Sequence, residues 1–174
     1  MEPKARYAQA MERLYLACIL VSGTALIVIT TIIPVGVFMR YVMNKPLSWP
    51  EPASVLMMVL FSFIGAAAVY RANGHIAVET LLKAVGPGKR RLLAGLVDIC
   101  MVSTCLFMVG YGAHLCYALW HQSIAEFPGL PVGLTYMPIP IGGVITLLFI
   151  LERVWVGPPP ETSIMYRDQP TAAE

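Results

Sequence analysis

The stretch LYLACILVSGTALIVITTIIPVGVFM, residues 14–39, contains 26 residues and no charged side chain. A helix rises about 1.5 Å per residue, so about 20 apolar residues cross a hydrocarbon layer of about 30 Å. The run is longer than the apolar region of a cleaved signal peptide, which spans about 7–15 residues, and it ends in FMRY instead of a small-residue cleavage site. Residues 14–39 are therefore predicted to form a retained membrane-spanning helix.

Three more apolar runs follow along the chain. They cover residues 53–70, residues 92–120, which are interrupted only by Asp98 and His114, and residues 127–151. The last run opens with several prolines, and proline suits a first helical turn, so its helix is expected to begin near Pro131. The predicted spans are residues 14–39, 52–70, 92–120 and 131–152.

The composition agrees with a membrane protein. Hydrophobic residues make up 57% of the 174 residues, charged residues only 13%, and the mean hydropathy is +0.70. A soluble domain carries about 25% charged residues, and backbone polar groups in lipid are satisfied within helices. We predict an all-α integral membrane protein with four transmembrane helices in a single domain, residues 1–156, followed by a disordered tail, residues 157–174.

The distribution of Lys and Arg predicts the orientation, because cytoplasmic loops are enriched in positive charge. Only Arg40 and Lys45 lie between spans one and two, whereas the other ten lie in the terminal segments and between spans two and three: Lys4, Arg6, Arg13, Arg71, Lys83, Lys89, Arg90, Arg91, Arg153 and Arg167. Both termini are therefore predicted to be cytoplasmic, an N-in/C-in topology.

A polar island, RYVMNKPLSWPEP at residues 40–52, then faces outward. In one interpretation Arg40 extends from a helix end to the headgroups and Glu51 merely begins the next helix. In the other, Arg40 and Glu51 are partners across the turn, where they fix spans one and two or dock a neighbouring subunit. Both interpretations stay open at this point.

The connection between spans two and three, residues 70–91, combines apolar residues at helical spacing with a Gly-Pro-Gly break and a basic KRR end. This pattern predicts a short amphipathic cytoplasmic helix at the inner surface. Arg71 and His75 are four residues apart at its start. His75 is either a surface histidine or a hydrogen-bonding residue that holds this connection in place.

Asp98 is the only acid within the four apolar runs. A carboxylate inside a membrane is a functional-site hypothesis by default. However, Asp98 lies within about two helical turns of Arg91, so we expect it to pair with Arg90, Arg91 or Arg71. A structural or subunit-contact role is favoured over proton coupling.

The residues needed by other classes of function are missing from the sequence. His114 and His121 share one span and His75 belongs to the opposite membrane face, so no pair at one depth could hold haem. The four cysteines lie in apolar runs without CxxC spacing, and no phosphate-binding glycine loop, nucleophile–base set or nucleic-acid-binding tract is present. We predict no enzyme activity, no cofactor and no metal. An autonomous small transporter and a haem-bearing membrane anchor remain the alternatives.

Three segments in order carry a resemblance: RYVMNKPLSWPE (40–51), FIGAAAVYRANGHIAVETLL (63–82) and LPVGLTYMPIPIGG (130–143). Together they resemble the small membrane (DctQ-like) subunit of tripartite ATP-independent periplasmic (TRAP) transporters, over about residues 14–152. Pro52 departs from the pattern, since the family commonly has a second acid there, which puts any contact made by that acid in doubt. The candidate subunit-contact or structural polar residues are Arg40, Tyr41, Trp49, Glu51, Arg71, His75 and Tyr136, which match the family motifs, and Asp98.

The resemblance implies a supporting role in a multi-pass transporter of the bacterial inner membrane. In such systems a periplasmic solute-binding protein delivers a solute, often an organic or sugar acid, to a large permease subunit that carries the substrate and sodium sites. The small subunit packs beside the large one and helps form the periplasmic docking surface. The resemblance thus implies that residues 40–52 meet the large subunit or the binding protein, and that the solute is selected by those partners.

Overall fold

The computed structural model describes residues 3–72 and 87–155. Four stretches within these residues are long and apolar enough to cross a membrane, which confirms the predicted four-helix membrane class. Residues 73–86 of the predicted amphipathic connection, which include His75, and the tail 157–174 lie outside the described residues. The helices are α1 (Pro3–Tyr41), α2 (Pro50–Arg71), α3 (Pro87–Ala118), α4 (Val132–Tyr136) and α5 (Pro138–Trp155), and two short strands, β1 (Ser123–Ile124) and β2 (Phe127–Pro131), pair between α3 and α4.

The long helices form a row instead of a closed bundle. Helix α1 packs against α2, α2 against α5, and α5 against α3, whereas α3 has no substantial packing with α1 or α2 in the part of the chain that the structure describes. Burial follows this order: 33% of the most apolar stretch of the last span is buried, against 11% in the third. The row therefore leaves wide apolar faces uncovered. On α3 these include Leu96, Ile99, Leu106, Phe107 and Tyr111.

Helix α5 lies at the centre of the row because two adjacent glycines let it approach a helix on each side. A Cβ atom added at Gly142 would lie 2.9 Å from the backbone oxygen of Phe63 on α2. One added at Gly143 would lie 3.0 Å from Val109 Cγ2 and 3.2 Å from the backbone oxygen of Cys105 on α3. Small residues permit this kind of close helix contact in membranes.

The approach to the last span is interrupted by its prolines. Pro131 ends β2 and precedes α4, and α5 begins only at Pro138. Proline has no N–H to continue a helical ladder but is well suited to a first turn. The span that we expected to begin near Pro131 therefore consists of a short helix and a longer one. The hairpin before it was not predicted, and it is closed by the Val132 N–H donating to Gln122 O at 2.7 Å.

The buried core is concentrated where the start of α1 meets the ends of α2 and α5. Its members on these helices include Met11, Tyr15, Cys18, Ala67, Ala68, Phe149 and Ile150. The Tyr7 hydroxyl donates to Leu148 O at 3.2 Å, and the Tyr7 and Trp155 rings meet edge to face. We call this side of the row the Arg71 end and the opposite side, where α1 leads into α2, the Arg40 end.

Candidate functional site

A buried ion pair joins α2 to α5 at the Arg71 end. Arg71 Nε donates to Glu152 Oε2 and Arg71 Nη2 to Glu152 Oε1, both at 2.8 Å. The two side chains are only 3% and 4% exposed. A planar guanidinium and a carboxylate in this two-bond arrangement fix both distance and orientation. The pair therefore sets how the ends of α2 and α5 meet.

Two aromatic rings complete the surroundings of Arg71. Its Cζ atom lies 5.2 Å from the centre of the Tyr15 ring on α1 and 5.5 Å from that of Phe149 on α5. Aromatic faces attract a cation within about 6 Å. Arg71, on α2, thus contacts both α1 and α5. We call Tyr15, Arg71, Phe149 and Glu152 the Arg71 cluster.

Of the three partners expected for Asp98, Arg71 was wrong, and the side chains of Arg90 and Arg91 lie outside what the structure describes. Arg71 is bound to Glu152, whereas Asp98 lies near Arg153, whose Nη1 is 3.9 Å from Asp98 Oδ1. Their side chains are 33% and 45% exposed, so this contact is long and open to its surroundings. The reason is the helix order: α3 packs on α5, which brings Asp98 near Arg153.

A groove opens between α1 and α2 at the Arg40 end. It encloses about 410 Å³, and its lining includes three of the predicted site residues, Arg40, Tyr41 and Glu51. Apolar side chains of both helices, such as Ile33 and Val55, form most of the remaining wall. Arg40, Tyr41 and Glu51 thus share a groove that the sequence did not predict, and their role in subunit contact stays a prediction.

Arg40 and Glu51 line the same groove without pairing with each other: the two ion pairs formed between described residues involve Arg71 with Glu152 and Arg153 with Asp98. Arg40 is in the last turn of α1 and Glu51 in the first turn of α2. Each charge is thus at the helix end where the macrodipole favours its sign. Neither requires the other for stabilisation, and both side chains are exposed.

The turn between α1 and α2 explains how the chain accepts Pro52. Asn44 adopts a positive φ of 50°, a conformation that asparagine tolerates, and Lys45 N–H donates to Met39 O at 3.0 Å to close the end of α1. Helix α2 then begins at Pro50, so Pro52 lies in its first turn. The first N–H groups of a helix have no intrahelical acceptor, and proline costs little there.

Trp49 and Tyr136, two further predicted residues, do not line the groove. Trp49 is at the N-cap position of α2 with 38% of its surface exposed. Tyr136 is half-buried at the end of α4. The sequence analysis did not select Glu152, because Glu152 lies just after the last apolar run and beside the oppositely charged Arg153. The sequence did contain a signal for this pair. It has an acid at the edge of the last span and an arginine at the end of another span.

These features define a class. The described residues form a multi-pass membrane protein with one tightly packed end, one open end, and more apolar surface than its own helices cover. Within residues 3–72 and 87–155 no group of three or more His, Cys, Asp or Glu side chains could hold a metal ion. The arrangement is typical of a structural or partner-binding membrane component.

The family follows from comparison with known proteins. A family model described as "Tripartite ATP-independent periplasmic transporters, DctQ component" matches residues 26–157, 132 of the 174 residues. The chain belongs to this family and is a TRAP transporter small permease subunit.

The names of two similar proteins agree with this family. One is a TRAP transporter small permease protein of Haemophilus influenzae, 27% identical over 119 residues that cover 68% of this chain and 73% of the relative. Another is the C4-dicarboxylate TRAP transporter small permease protein DctQ of Vibrio cholerae, 28% identical over 93 residues that cover 52% of this chain and 38% of the relative. The family is a transporter component and not an enzyme class.

Proposed function

We propose that the chain packs beside a large permease subunit in the bacterial inner membrane and supports solute uptake with a periplasmic binding protein. The observation that carries this proposal is the family match over residues 26–157, which names a tripartite system. The open helix row agrees with it, because the row exposes apolar side chains on several helices. A second membrane subunit and lipid together would cover these faces.

The two ends of the row take different parts in the proposal. The Arg71 cluster holds α1, α2 and α5 together and keeps the row rigid. The Arg40 end, with Arg40 and Glu51 exposed, faces the periplasm in the N-in/C-in topology and contributes to the docking surface. In this proposal the exposed charges of Arg40 and Glu51 lie on the side where the binding protein arrives.

The transported solute in this proposal is a small organic acid, taken up by ion-coupled secondary transport. Support comes from the Vibrio cholerae relative, which is named for C4-dicarboxylates. Within the described residues the small subunit has one buried ion pair, and it already joins two of its own helices. Solute and ion selectivity is therefore assigned to the large subunit and the binding protein.

Uptake of a radiolabelled organic acid by host cells tests the proposal. Cells that lack the chain should lose uptake, and the wild-type gene should restore it. Glu51→Lys reverses a charge at the Arg40 end, and we expect it to lower uptake several-fold at normal membrane levels of the protein. Glu126→Lys, an equally exposed reversal on the hairpin loop and outside the groove, is the matched control.

The outcomes separate the alternatives. Full uptake without the chain would contradict a role in this transport system. Equal uptake by Glu51→Lys and wild type would leave the subunit role intact but remove the Arg40 end from the docking surface. A Soret band in the purified protein would instead indicate a haem-bearing anchor.

A further inference from the structure

We propose that the groove between α1 and α2 at the Arg40 end binds one phospholipid with an ethanolamine headgroup. In this site the lipid phosphate binds Arg40, the ammonium group binds Glu51, and an acyl chain lies along the apolar walls. The site does not depend on the proposed transport function, because it belongs to this chain alone and lies at a membrane boundary in either orientation.

The shape of the groove fits a lipid tail. Its walls run along α1 from Ile29 to Arg40, about 16 Å at 1.5 Å per residue. Val37 on α1 and Val55 and Met58 on α2 are among the apolar residues that line it. A tail that enters from the bilayer is not removed from water, so it would be held by van der Waals packing against these walls. An acyl chain inserted in the groove would also fill space that the two helices leave open.

The charges at the mouth of the groove select the headgroup. Arg40 and Glu51 both line the cavity, both are exposed, and the ion pairs formed within the described residues leave both of them without a charged partner. Arginine binds phosphate oxygens through two parallel N–H donors, and a carboxylate accepts from an ammonium group. A headgroup with one phosphate and one primary ammonium matches both charges. A glycerol headgroup would satisfy Arg40 but give Glu51 no cation.

The size of the groove argues against a helix of the large subunit as its occupant. A helix with its side chains is at least about 10 Å across, which is too wide to enter between two packed helices. The groove lies between α1 and α2, where Gly36 and Pro50 already pack closely. It could not be deepened without moving α1 from α2, since a Cβ at Gly36 would already lie 3.1 Å from Pro50 Cβ. A slender acyl chain is the better match.

Native mass spectrometry of the delipidated full chain in mild detergent tests the site. The chain is titrated with an equimolar mixture of phosphatidylethanolamine and phosphatidylglycerol. Wild type should retain one phosphatidylethanolamine at least threefold in excess over phosphatidylglycerol. Arg40→Gln should weaken retention about tenfold, Glu51→Gln should abolish the headgroup preference, and Val55→Trp should block binding by filling the groove.

Lys45→Gln is the matched control, because Lys45 is an exposed cation of the same turn that does not line the groove. It should bind like wild type. Circular dichroism of each variant verifies that the helices are intact. Equal retention of both lipids by wild type, or equal retention by all variants, would overturn the site.

Photocrosslinking in cells identifies the occupant directly. A photoreactive amino acid at position 55 should yield a lipid adduct, detected by its phosphorus-containing mass increment after proteolysis. An adduct to another protein would show that the groove holds a polypeptide, and it would overturn the lipid assignment while leaving the subunit role in place.

Discussion

Each end of this helix row carries one arginine and one glutamate that the fold brings near each other, and the two pairs behave differently. Arg71 and Glu152 are joined by two hydrogen bonds of 2.8 Å and are almost fully buried. Arg40 and Glu51 line a common groove, exposed and not joined to each other. The same two residue types therefore stabilise the fold at one end and remain available for binding at the other.

Helix polarity explains the difference. Glu152 lies near the end of α5, where the macrodipole disfavours a negative charge, so burial there requires a cation such as Arg71. Arg40 and Glu51 each lie at a helix end that favours their own charge. A charge at a helix terminus that favours its sign can therefore stay exposed and available to a partner without a stability cost to the chain.

Removal of one member of the buried pair should have the largest effect on stability. Glu152→Ala leaves Arg71 as an uncompensated buried charge, which costs about 3–5 kcal/mol. Thermal unfolding in detergent, followed by circular dichroism, should show a large drop in Tm. Glu51→Ala is the matched control at the Arg40 end, and its expected change is within about 0.5 kcal/mol.

The double variant Arg71→Met with Glu152→Leu sharpens this test. Replacing both charges with apolar side chains avoids the uncompensated charge, so stability should recover most of the loss. Equal Tm losses for Glu152→Ala and Glu51→Ala would contradict the distinction between the two ends.

The next largest effect is expected at the centre of the row. Gly142→Ala places a Cβ atom 2.9 Å from the Phe63 backbone oxygen and should cost about 1–3 kcal/mol, because α2 and α5 must separate. Gly110→Ala is the control, since an added Cβ there meets no heavy atom within 4 Å. The control should be neutral or slightly stabilising, as Ala favours helix more than Gly by about 1 kcal/mol. Similar losses in both variants would argue against close packing of α2 on α5.

The smallest effect is expected for the partly exposed contact between Asp98 and Arg153. At 3.9 Å and with both side chains at least a third exposed, it should contribute less than about 0.5 kcal/mol. Asp98→Asn should leave Tm nearly unchanged in the same unfolding experiment. A loss comparable to that of Glu152→Ala would show that Asp98 belongs to the structural core after all.

The sequence predicted the four spans because charge-free runs of membrane length have few other structural outcomes. It did not predict the hairpin, since FPGLP contains two prolines and reads poorly as a strand. It also offered Asp98, and not Glu152, as a partner of Arg71. The partner of Arg71 depends on the order of helices in the row, which is set by close contacts at positions such as Gly142 and Gly143 and not by hydropathy.

The candidate site was predicted in part for a similar reason. Arg40, Tyr41 and Glu51 are separated by one short turn, so their proximity follows from the chain itself. Their lack of pairing depends on two helix dipoles and on the exact end of α1 at Tyr41, where a hydrogen-bonded turn at Asn44 redirects the chain. Local sequence indicates such a turn only weakly.

Affinity purification of the tagged chain from its host in mild detergent, with partners identified by mass spectrometry, tests the central claim most directly. We expect wild type and Glu126→Lys to recover a much larger multi-span permease. Glu51→Lys should recover less of the permease or of the periplasmic binding protein while it keeps a wild-type Tm. Recovery of the wild-type chain alone, or only with copies of itself, would contradict the account.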